Sequence, residues 1–280
     1  YGLRSLGRAK RMGMRTVVQR ASTHPRVQAR LLAEEYARWG LTFRISEPAL
    51  RRAQAEIELA DRVLIPSDWV RRTFRDEGLA DERLLLLPFG VDTARFRPIL
   101  QPAPHPFRVL FVGQVGLRKG VPDLLEAWRT LGWHDAELWL VGPIEDAARP
   151  VFQRWAGLPG VRFVAYTPDP TAVYSQADVF AFPSLEEGSA LVTYEAMACG
   201  LPVVTTPNAG SIVRDGQDGW LVPGRDPATL ADRLERLRAD EPLRRAMGEA
   251  ARRRAESYTW DAHGAALARL LAGLLADGYK

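Results

Sequence analysis

The chain has 280 residues, 46% of them hydrophobic and 26% charged, and a formal net charge of +4, the composition of an ordinary globular protein long enough for two domains. Its single cysteine, Cys199, excludes an internal disulfide, and no apolar run approaches the roughly 18 residues of a membrane span. The reducing cytoplasm is therefore the expected compartment. The first residue is Tyr1 and no signal-peptide pattern follows, so we expect a fragment of a longer chain.

The first 30 residues form a basic segment. They carry eight basic side chains and no acidic one, namely Arg4, Arg8, Lys10, Arg11, Arg15, Arg20, Arg26 and Arg30. Two explanations stay open: a solvated helix face followed by a loop, or a patch for an anionic partner such as the inner face of a membrane or a phosphate-bearing acceptor. Nucleic acid is not expected, because no recognised binding motif and no interleaved aromatic residues accompany the charges.

Residues 1–98 are predicted to form an incomplete α/β domain. Its strand candidates are 15–19, 62–66 and 84–88, and its helices lie at about 25–39, 48–60 and 68–77. A complete Rossmann-type sheet has about six strands, so this upstream domain contains about half of one. The segment 96–106 holds four prolines in eleven residues and is predicted to link two domains.

Residues 104–258 are predicted to form a complete doubly wound domain. Six apolar runs bounded by Gly or Pro read as buried parallel strands, at 107–113, 137–142, 161–166, 178–183, 202–206 and 219–223. Helices are predicted between and after them, at about 121–131, 146–157, 170–177, 190–199, 227–238 and 241–257. In such a sheet the ligand lies at the carboxyl ends of the strands.

Three stretches carry the chemistry: PFGVD (88–92), VGQVGLRKG (112–120) and DVFAFPSLEEGSALVTYEAMACGLPVV (178–204). Together they resemble the GT-B glycosyltransferases of family 4, whose E-x7-E signature Glu187 and Glu195 match. The resemblance extends from about residue 13 to the end and includes ADRVLIPSDWV (60–70) and YTW (258–260). It implies two Rossmann-like domains, the first incomplete, and a last segment at 259–280 whose helix crosses back to the first domain.

The resemblance implies a retaining hexosyltransferase that takes its sugar from a nucleoside diphosphate. Glu187 follows a predicted strand end and precedes Gly188, so its carboxylate should project into the cleft and accept hydrogen bonds from sugar hydroxyls. By resemblance it holds a hydroxyl of the donor sugar. The alternative is an acid favoured by the positive end of the next helix.

That helix is predicted to open with Gly188, Ser189, Ala190 and Leu191, whose free amides would make an anion site for the donor's sugar and diphosphate. By resemblance Glu195, one turn further on, binds the ribose hydroxyls. The alternative for Glu195 is a buried acid paired with an arginine. Relatives often read E-G-F-G where this chain has EGSA, so Ala190 narrows the room for the sugar.

The loop after the first downstream strand supplies positive charge. Lys119 is expected to neutralise the departing β-phosphate, and Gly113 lies in the same donor-binding loop. The family usually has an arginine directly after that glycine, whereas this chain has Gln114, and Arg118 is the candidate replacement. The alternative is a solvated Arg-Lys pair.

No metal and no cofactor other than the donor are expected. The chain has no Asp-x-Asp, and its four histidines and one cysteine form no ligand cluster. His24, which follows the strand at 15–19, is a third catalytic candidate, with a surface or core-edge histidine as the alternative.

The acceptor stays open between a lipid-linked and a small-molecule hydroxyl. The alternative function is a nucleotide-sugar-binding protein without turnover.

Overall fold

The computed structural model describes residues 2–98, 105–165, 167 and 169–276. Most of the predicted linker at 96–106, and the end of the run at 161–166, lie outside the described residues. The upstream domain has a parallel sheet in the order β1-β2-β3. Its elements are α1 (Gly2–Arg11), β1 (Val17–Gln19), α2 (Pro25–Arg38), α3 (Glu47–Leu59), β2 (Arg62–Ile65), α4 (Asp68–Asp76) and β3 (Leu84–Leu86).

The downstream domain has a six-stranded parallel sheet in the order β6-β5-β4-β7-β8-β9. Its strands are β4 (Phe107–Val112), β5 (Ala136–Val141), β6 (Val161–Val164), β7 (Val179–Phe182), β8 (Val203–Thr205) and β9 (Gly219–Leu221). Its helices are α5 (Val121–Leu131), α6 (Arg149–Phe152), α7 (Pro170–Tyr174), α8 (Leu191–Ala198), α9 (Pro227–Ala239), α10 (Glu241–Glu256) and α11 (Trp260–Ala276). The strand order reverses at β4, so the crevice between the ends of β4 and β7 is the topological switch point where ligands bind in such sheets.

The central strands are apolar along their whole length because helices cover both faces of the sheet. Val109, Leu110, Phe111, Leu138 and Phe180 are fully buried. The upstream core is a separate and smaller cluster around Val63, Ile65 and Phe74.

Side-chain caps fix where several helices begin. The Ser67 hydroxyl accepts a hydrogen bond from the Val70 N–H at the start of α4, and the carboxylates of Asp226 and Asp240 do the same for α9 and α10. A proline in the first turn, where no donor is needed, accompanies the caps of α9 and α10.

One predicted helix is interrupted. Instead of a single helix at 146–157, the chain makes a 3-10 turn at 146–148, the four-residue helix α6, and a second 3-10 turn at 153–155. Pro150 explains the break, because it has no N–H to donate to the carbonyl of Asp146.

The first part of the basic segment forms helix α1, which lies on α3 and has no buried residue. Lys10 pairs with Asp61 at 2.8 Å. At the other end of the chain, α11 lies beside β3, with the His263 ring nitrogen Nδ1 2.7 Å from the Pro88 carbonyl oxygen. Among the described residues, no helix is long and apolar enough to cross a membrane.

Glycines bring the loops after β4 and β5 together. Gly113 and Gly142 have φ angles of +144° and +139°, which residues other than glycine rarely adopt. A Cβ on Gly142 would lie 2.1 Å from the Gly113 carbonyl oxygen, so there is no room for one. The loop that begins at Gly113 is therefore held against the end of the neighbouring strand.

We expect Gly142→Ala to lower the free energy of unfolding by about 1–3 kcal/mol more than Gly132→Ala does, measured by urea denaturation. Gly132 is the matched control: its φ of +61° is also positive, but a Cβ there would meet nothing within 4 Å. The control therefore measures backbone strain alone. Equal losses in the two variants would contradict the steric explanation.

Candidate active site

A cluster of one carboxylate and two cations lies at the switch point. Glu187 follows β7, and its Oε1 accepts hydrogen bonds from Lys119 Nζ and, at 2.8 Å, from Arg118 Nη1. The two cations are on the loop that follows β4. Burial is the main cause that lowers the pKa of Lys119, with Arg118 adding to it and Glu187 opposing it. Arg118 and Lys119 thus share one carboxylate, and replacement of the family's arginine by Arg118 stays a prediction.

The loop that carries Lys119 is attached to the end of β7. The Leu185 N–H donates to the Arg118 carbonyl at 2.9 Å. Gly120 has a φ of +67°, and a Cβ there would lie 2.0 Å from the Pro183 carbonyl oxygen. These close contacts fix the direction of the Lys119 side chain. Gln114 is on the same loop and is exposed, and Gly113 begins it.

The predicted anion site at 188–191 needs a correction. Helix α8 begins at Leu191, and the Ala190 N–H donates to the Ala209 carbonyl at 2.9 Å, so that amide is not free. Ser189 is engaged as well, since its hydroxyl lies 2.9 Å from the Tyr194 hydroxyl and donates to the Gly210 carbonyl. The segment after β8 thus takes the Ala190 amide and the Ser189 hydroxyl, and an anion site at the amides of Gly188, Ser189 and Leu191 stays a prediction.

Glu195 lines a small cavity of about 200 Å³. The Tyr174 hydroxyl donates to Glu195 Oε2 at 2.8 Å, so the partner of this acid is a phenol and not the arginine of the alternative interpretation. Burial raises the pKa of Glu195. The same cavity is lined by Arg95, Leu191 and Trp260, and the last of these is 45% exposed. A ligand that reached Glu195 would meet an arginine and an indole ring.

The described contacts of His24 lie within the upstream domain. His24 caps α2, accepting a hydrogen bond from the Arg26 N–H, and its ring packs edge-on against Phe74 with centroids 5.1 Å apart. Its Nδ1 is 4.0 Å from Glu77, and burial lowers the pKa of the imidazole. These contacts match the core-edge alternative, and a catalytic role for His24 stays a prediction.

The sequence analysis missed Glu186. This carboxylate is fully buried and receives hydrogen bonds from the upstream domain: Ser22 Oγ at 2.7 Å, Thr23 Oγ1 at 2.8 Å and Gln28 Nε2 at 3.1 Å. The available signal was the hydroxyl pair Ser22-Thr23 directly after β1, at the edge that faces the cleft.

Two backbone contacts add to this interface. A Cβ on Gly188 would lie 1.6 Å from the Ala21 carbonyl oxygen, so only glycine allows this approach. On the other side of the same residue, the Ser67 hydroxyl donates to the Gly188 carbonyl at 2.6 Å. The loops that follow β1 and β2 therefore both contact the main chain at Gly188, directly after Glu187.

Helix α2 forms the outer part of the interface. The guanidinium of Arg225 donates to the buried Glu35 at 2.8 Å, and Arg38 donates to Asp123 at 3.1 Å. Tyr36 donates to Glu145, whose other oxygen accepts the Leu117 N–H. Arg225 has a φ of +62°, an unfavourable conformation for a residue other than glycine.

The described residues contain no group of three or more His, Cys, Asp or Glu placed to hold a metal ion.

Comparisons with known proteins agree with this geometry. Residues 106–240 match the family described as glycosyl transferases group 1. The D-inositol 3-phosphate glycosyltransferase of Corynebacterium jeikeium is 32% identical over 84% of this chain and 63% of its own length. That of Paenarthrobacter aurescens is 34% identical over 64% of this chain and 49% of its own length. The chain thus spans about half to two thirds of these relatives.

Solved structures share the fold. Sucrose-phosphate synthase from Thermosynechococcus elongatus superposes with a TM-score of 0.74 at 25% identity, over 94% of this chain and 69% of that one. Anabaena HepE, crystallised with UDP, gives a TM-score of 0.77 at 18% identity, over 97% of this chain and 76% of its own.

Two parallel sheets with facing carboxyl edges, and a ligand crevice between them, define the GT-B fold. Within that class, the chain is similar to the group 1 glycosyl transferases that residues 106–240 match, and its E-x7-E motif is family 4-like.

We expect Glu186→Ala to lower the free energy of unfolding by about 3 kcal/mol, because it leaves the buried Thr23 hydroxyl and the half-buried donors of Ser22 and Gln28 without their acceptor. Glu82→Ala removes an exposed carboxylate and should change stability by less than about 0.5 kcal/mol. Chemical denaturation of both variants measures the difference. A Glu186→Ala variant as stable as the wild type would show that the interdomain hydrogen bonds contribute nothing.

Proposed function

We propose that the protein transfers a sugar from a nucleoside diphosphate to an acceptor hydroxyl with retained anomeric configuration. The observation that carries this proposal is the cluster of Arg118, Lys119 and Glu187 at the switch point between β4 and β7. It combines two cations suited to a diphosphate with a carboxylate suited to sugar hydroxyls. The solved HepE structures, described as complexes with UDP and with UDP-glucose, support the choice of donor.

Each residue has a proposed task. Lys119 and Arg118 bind the diphosphate, and Glu187 accepts a hydrogen bond from the donor sugar. Glu195 accepts hydrogen bonds from the ribose. Before the donor binds, Glu187 holds both cations in place, so their charge is already oriented when the phosphate arrives.

Negative charge on the diphosphate is greatest as the glycosidic bond breaks, so the paired cations stabilise the transition state more than the bound donor. In a same-face reaction the departing phosphate oxygen takes the proton from the acceptor hydroxyl. The bond from the anomeric carbon to the phosphate oxygen breaks, and the bond to the acceptor oxygen forms on the same face. No protein nucleophile is required for this sequence.

A second candidate function is nucleotide-sugar binding without turnover. It is favoured by the upstream sheet, which has three strands in the described part of the chain.

The acceptor is a lipid-linked or small-molecule hydroxyl. The exposed basic face of α1 supports peripheral contact with an anionic membrane.

Calorimetry with UDP, beside a transfer assay with UDP-glucose over many acceptors, separates the two functions. We expect this chain to bind UDP and to transfer sugar more slowly than a longer form of the protein, because both reactants must be held together for transfer. Binding without transfer in either form would favour the second function. Absence of UDP binding, tested beside other nucleoside diphosphates that also fail to bind, would contradict both.

Glu195→Ala should weaken UDP binding by about 1.5–3 kcal/mol, since a carboxylate shared by two ribose hydroxyls makes charge-assisted hydrogen bonds. Glu195→Gln keeps the size of the side chain and should lose part of that affinity. Calorimetry gives both dissociation constants, and circular dichroism checks the fold. An unchanged dissociation constant in a folded Glu195→Ala variant would assign this residue to structure.

Lys119 should make donor binding depend on pH. Because burial lowers its pKa, the ammonium is lost as the pH rises through that lowered value, and UDP affinity should fall at a lower pH than for an exposed lysine. Lys119→Arg stays charged and should show a flatter profile. Titration calorimetry between neutral and alkaline pH measures this, and identical profiles would exclude Lys119 from the phosphate site.

A further inference from the structure

A second cavity, of about 310 Å³, lies further along the interdomain cleft. From the upstream domain it is lined by residues that follow β2 and β3, including Trp69 and Arg72. From the downstream domain it is lined by residues that follow β8, together with Tyr194, Arg254 and Tyr258. We call it the β2–β8 pocket. It lies at the carboxyl edges of both sheets, where α/β proteins bind their ligands.

The β2–β8 pocket is separate from the proposed donor site. Lys119, Glu187 and Glu195 are not among its lining residues. Ser67 and Gly210 line it, and both lie against the Gly188 carbonyl: the Ser67 hydroxyl donates to it at 2.6 Å, and a Cβ on Gly210 would come within 2.2 Å. The main chain at Gly188 thus lies between the pocket and the donor cluster.

The charges around the pocket favour an anion. Three arginines line it against one acid, Asp68. Arg214 is already paired with Asp218 at 2.6 Å, whereas Arg72 is exposed and has no ion-pair partner among the described residues. Arg254 donates only to a backbone carbonyl, that of Ile212, and its guanidinium lies 4.7 Å from the centre of the Tyr258 ring. Two guanidinium groups are thus free of a carboxylate partner and available to a phosphate.

The rings around the pocket favour a cyclic ligand. Trp69, Tyr194 and Tyr258 all line it, and aromatic faces pack against the apolar faces of sugar rings. The indole N–H of Trp69 is buried and has no hydrogen-bond partner in the described part of the chain. A volume of about 310 Å³ is at the lower end of the range for small-molecule pockets, which suits a monosaccharide phosphate better than a nucleotide.

We propose that the β2–β8 pocket binds a monosaccharide phosphate at a site distinct from the donor site. Arg72 and Arg254 bind the phosphate, and the aromatic side chains pack against the ring. Because the lining comes from both domains, the bound molecule connects them and stabilises their closed arrangement. The pocket residues Ser67 and Gly210 contact Gly188, which is next to Glu187 in the chain. A ligand in the pocket therefore affects the position of Glu187.

Glucose 6-phosphate is the probe, with glucose and inorganic phosphate as the two halves of the ligand. Titration calorimetry on the 280-residue chain should show that glucose 6-phosphate binds more tightly than either half. Arg72→Glu should weaken this binding at least tenfold. Arg75→Glu is the matched control, since Arg75 is one turn further along α4, is exposed, and does not line the pocket. It should leave the dissociation constant within twofold of the wild-type value.

Trp69 supplies an independent reading. Glucose 6-phosphate should change the tryptophan fluorescence of the wild type, and this change should be absent from Trp69→Phe.

Saturating UDP should leave the affinity for glucose 6-phosphate unchanged or raise it. Three results would each overturn the proposal: no binding of glucose 6-phosphate, equal weakening by Arg72→Glu and Arg75→Glu, or competitive displacement by UDP. None of them bears on whether UDP binds at Glu195, so the proposed function stands or fails separately.

Discussion

The closed cleft depends on the buried carboxylate of Glu186. Moving a charge out of water costs several kcal/mol unless hydrogen bonds replace the lost hydration. For Glu186 the replacement comes from Ser22, Thr23 and Gln28, all on the opposite domain. The carboxylate is therefore fully bonded only when the two domains are together. Few other arrangements of the two domains would give the Glu186 carboxylate these hydrogen bonds. The interaction therefore both favours one domain arrangement and stabilises it.

The successive glutamates Glu186 and Glu187 have different hydrogen-bond partners. Glu186 accepts hydrogen bonds from the upstream domain and also lies 3.6 Å from the Arg118 guanidinium, whereas Glu187 accepts hydrogen bonds from both Arg118 and Lys119 of its own domain. Because they are neighbours, any movement of the upstream loop against Glu186 is transmitted to the carboxylate that holds Lys119. Domain closure and the orientation of the cationic pair are thus mechanically linked. In the proposed reaction, this link excludes water and fixes the charges in one step.

The sequence predicted the strands of both domains to within two or three residues at each end, because long apolar runs between glycines and prolines leave few alternatives. The misses have two causes, one local and one tertiary. The helix at 146–157 fails at Pro150, and the amide of Ala190 is taken by a carbonyl that is remote in sequence.

Glu187 was recognisable from its motif, whereas Glu186 was not. The importance of Glu186 rests on contacts with residues about 160 positions away, which no local pattern encodes. Tertiary proximity of this kind is the part of a site that a single sequence does not show.

Arg225 gives the interface a second property. Its left-handed backbone conformation costs about 1–2 kcal/mol for a residue with a side chain, and its guanidinium is the partner of the buried Glu35 across the cleft. A glycine would relax the backbone but lose the ion pair. The strain at Arg225 therefore offsets part of the stability that its ion pair with Glu35 gives to the interface.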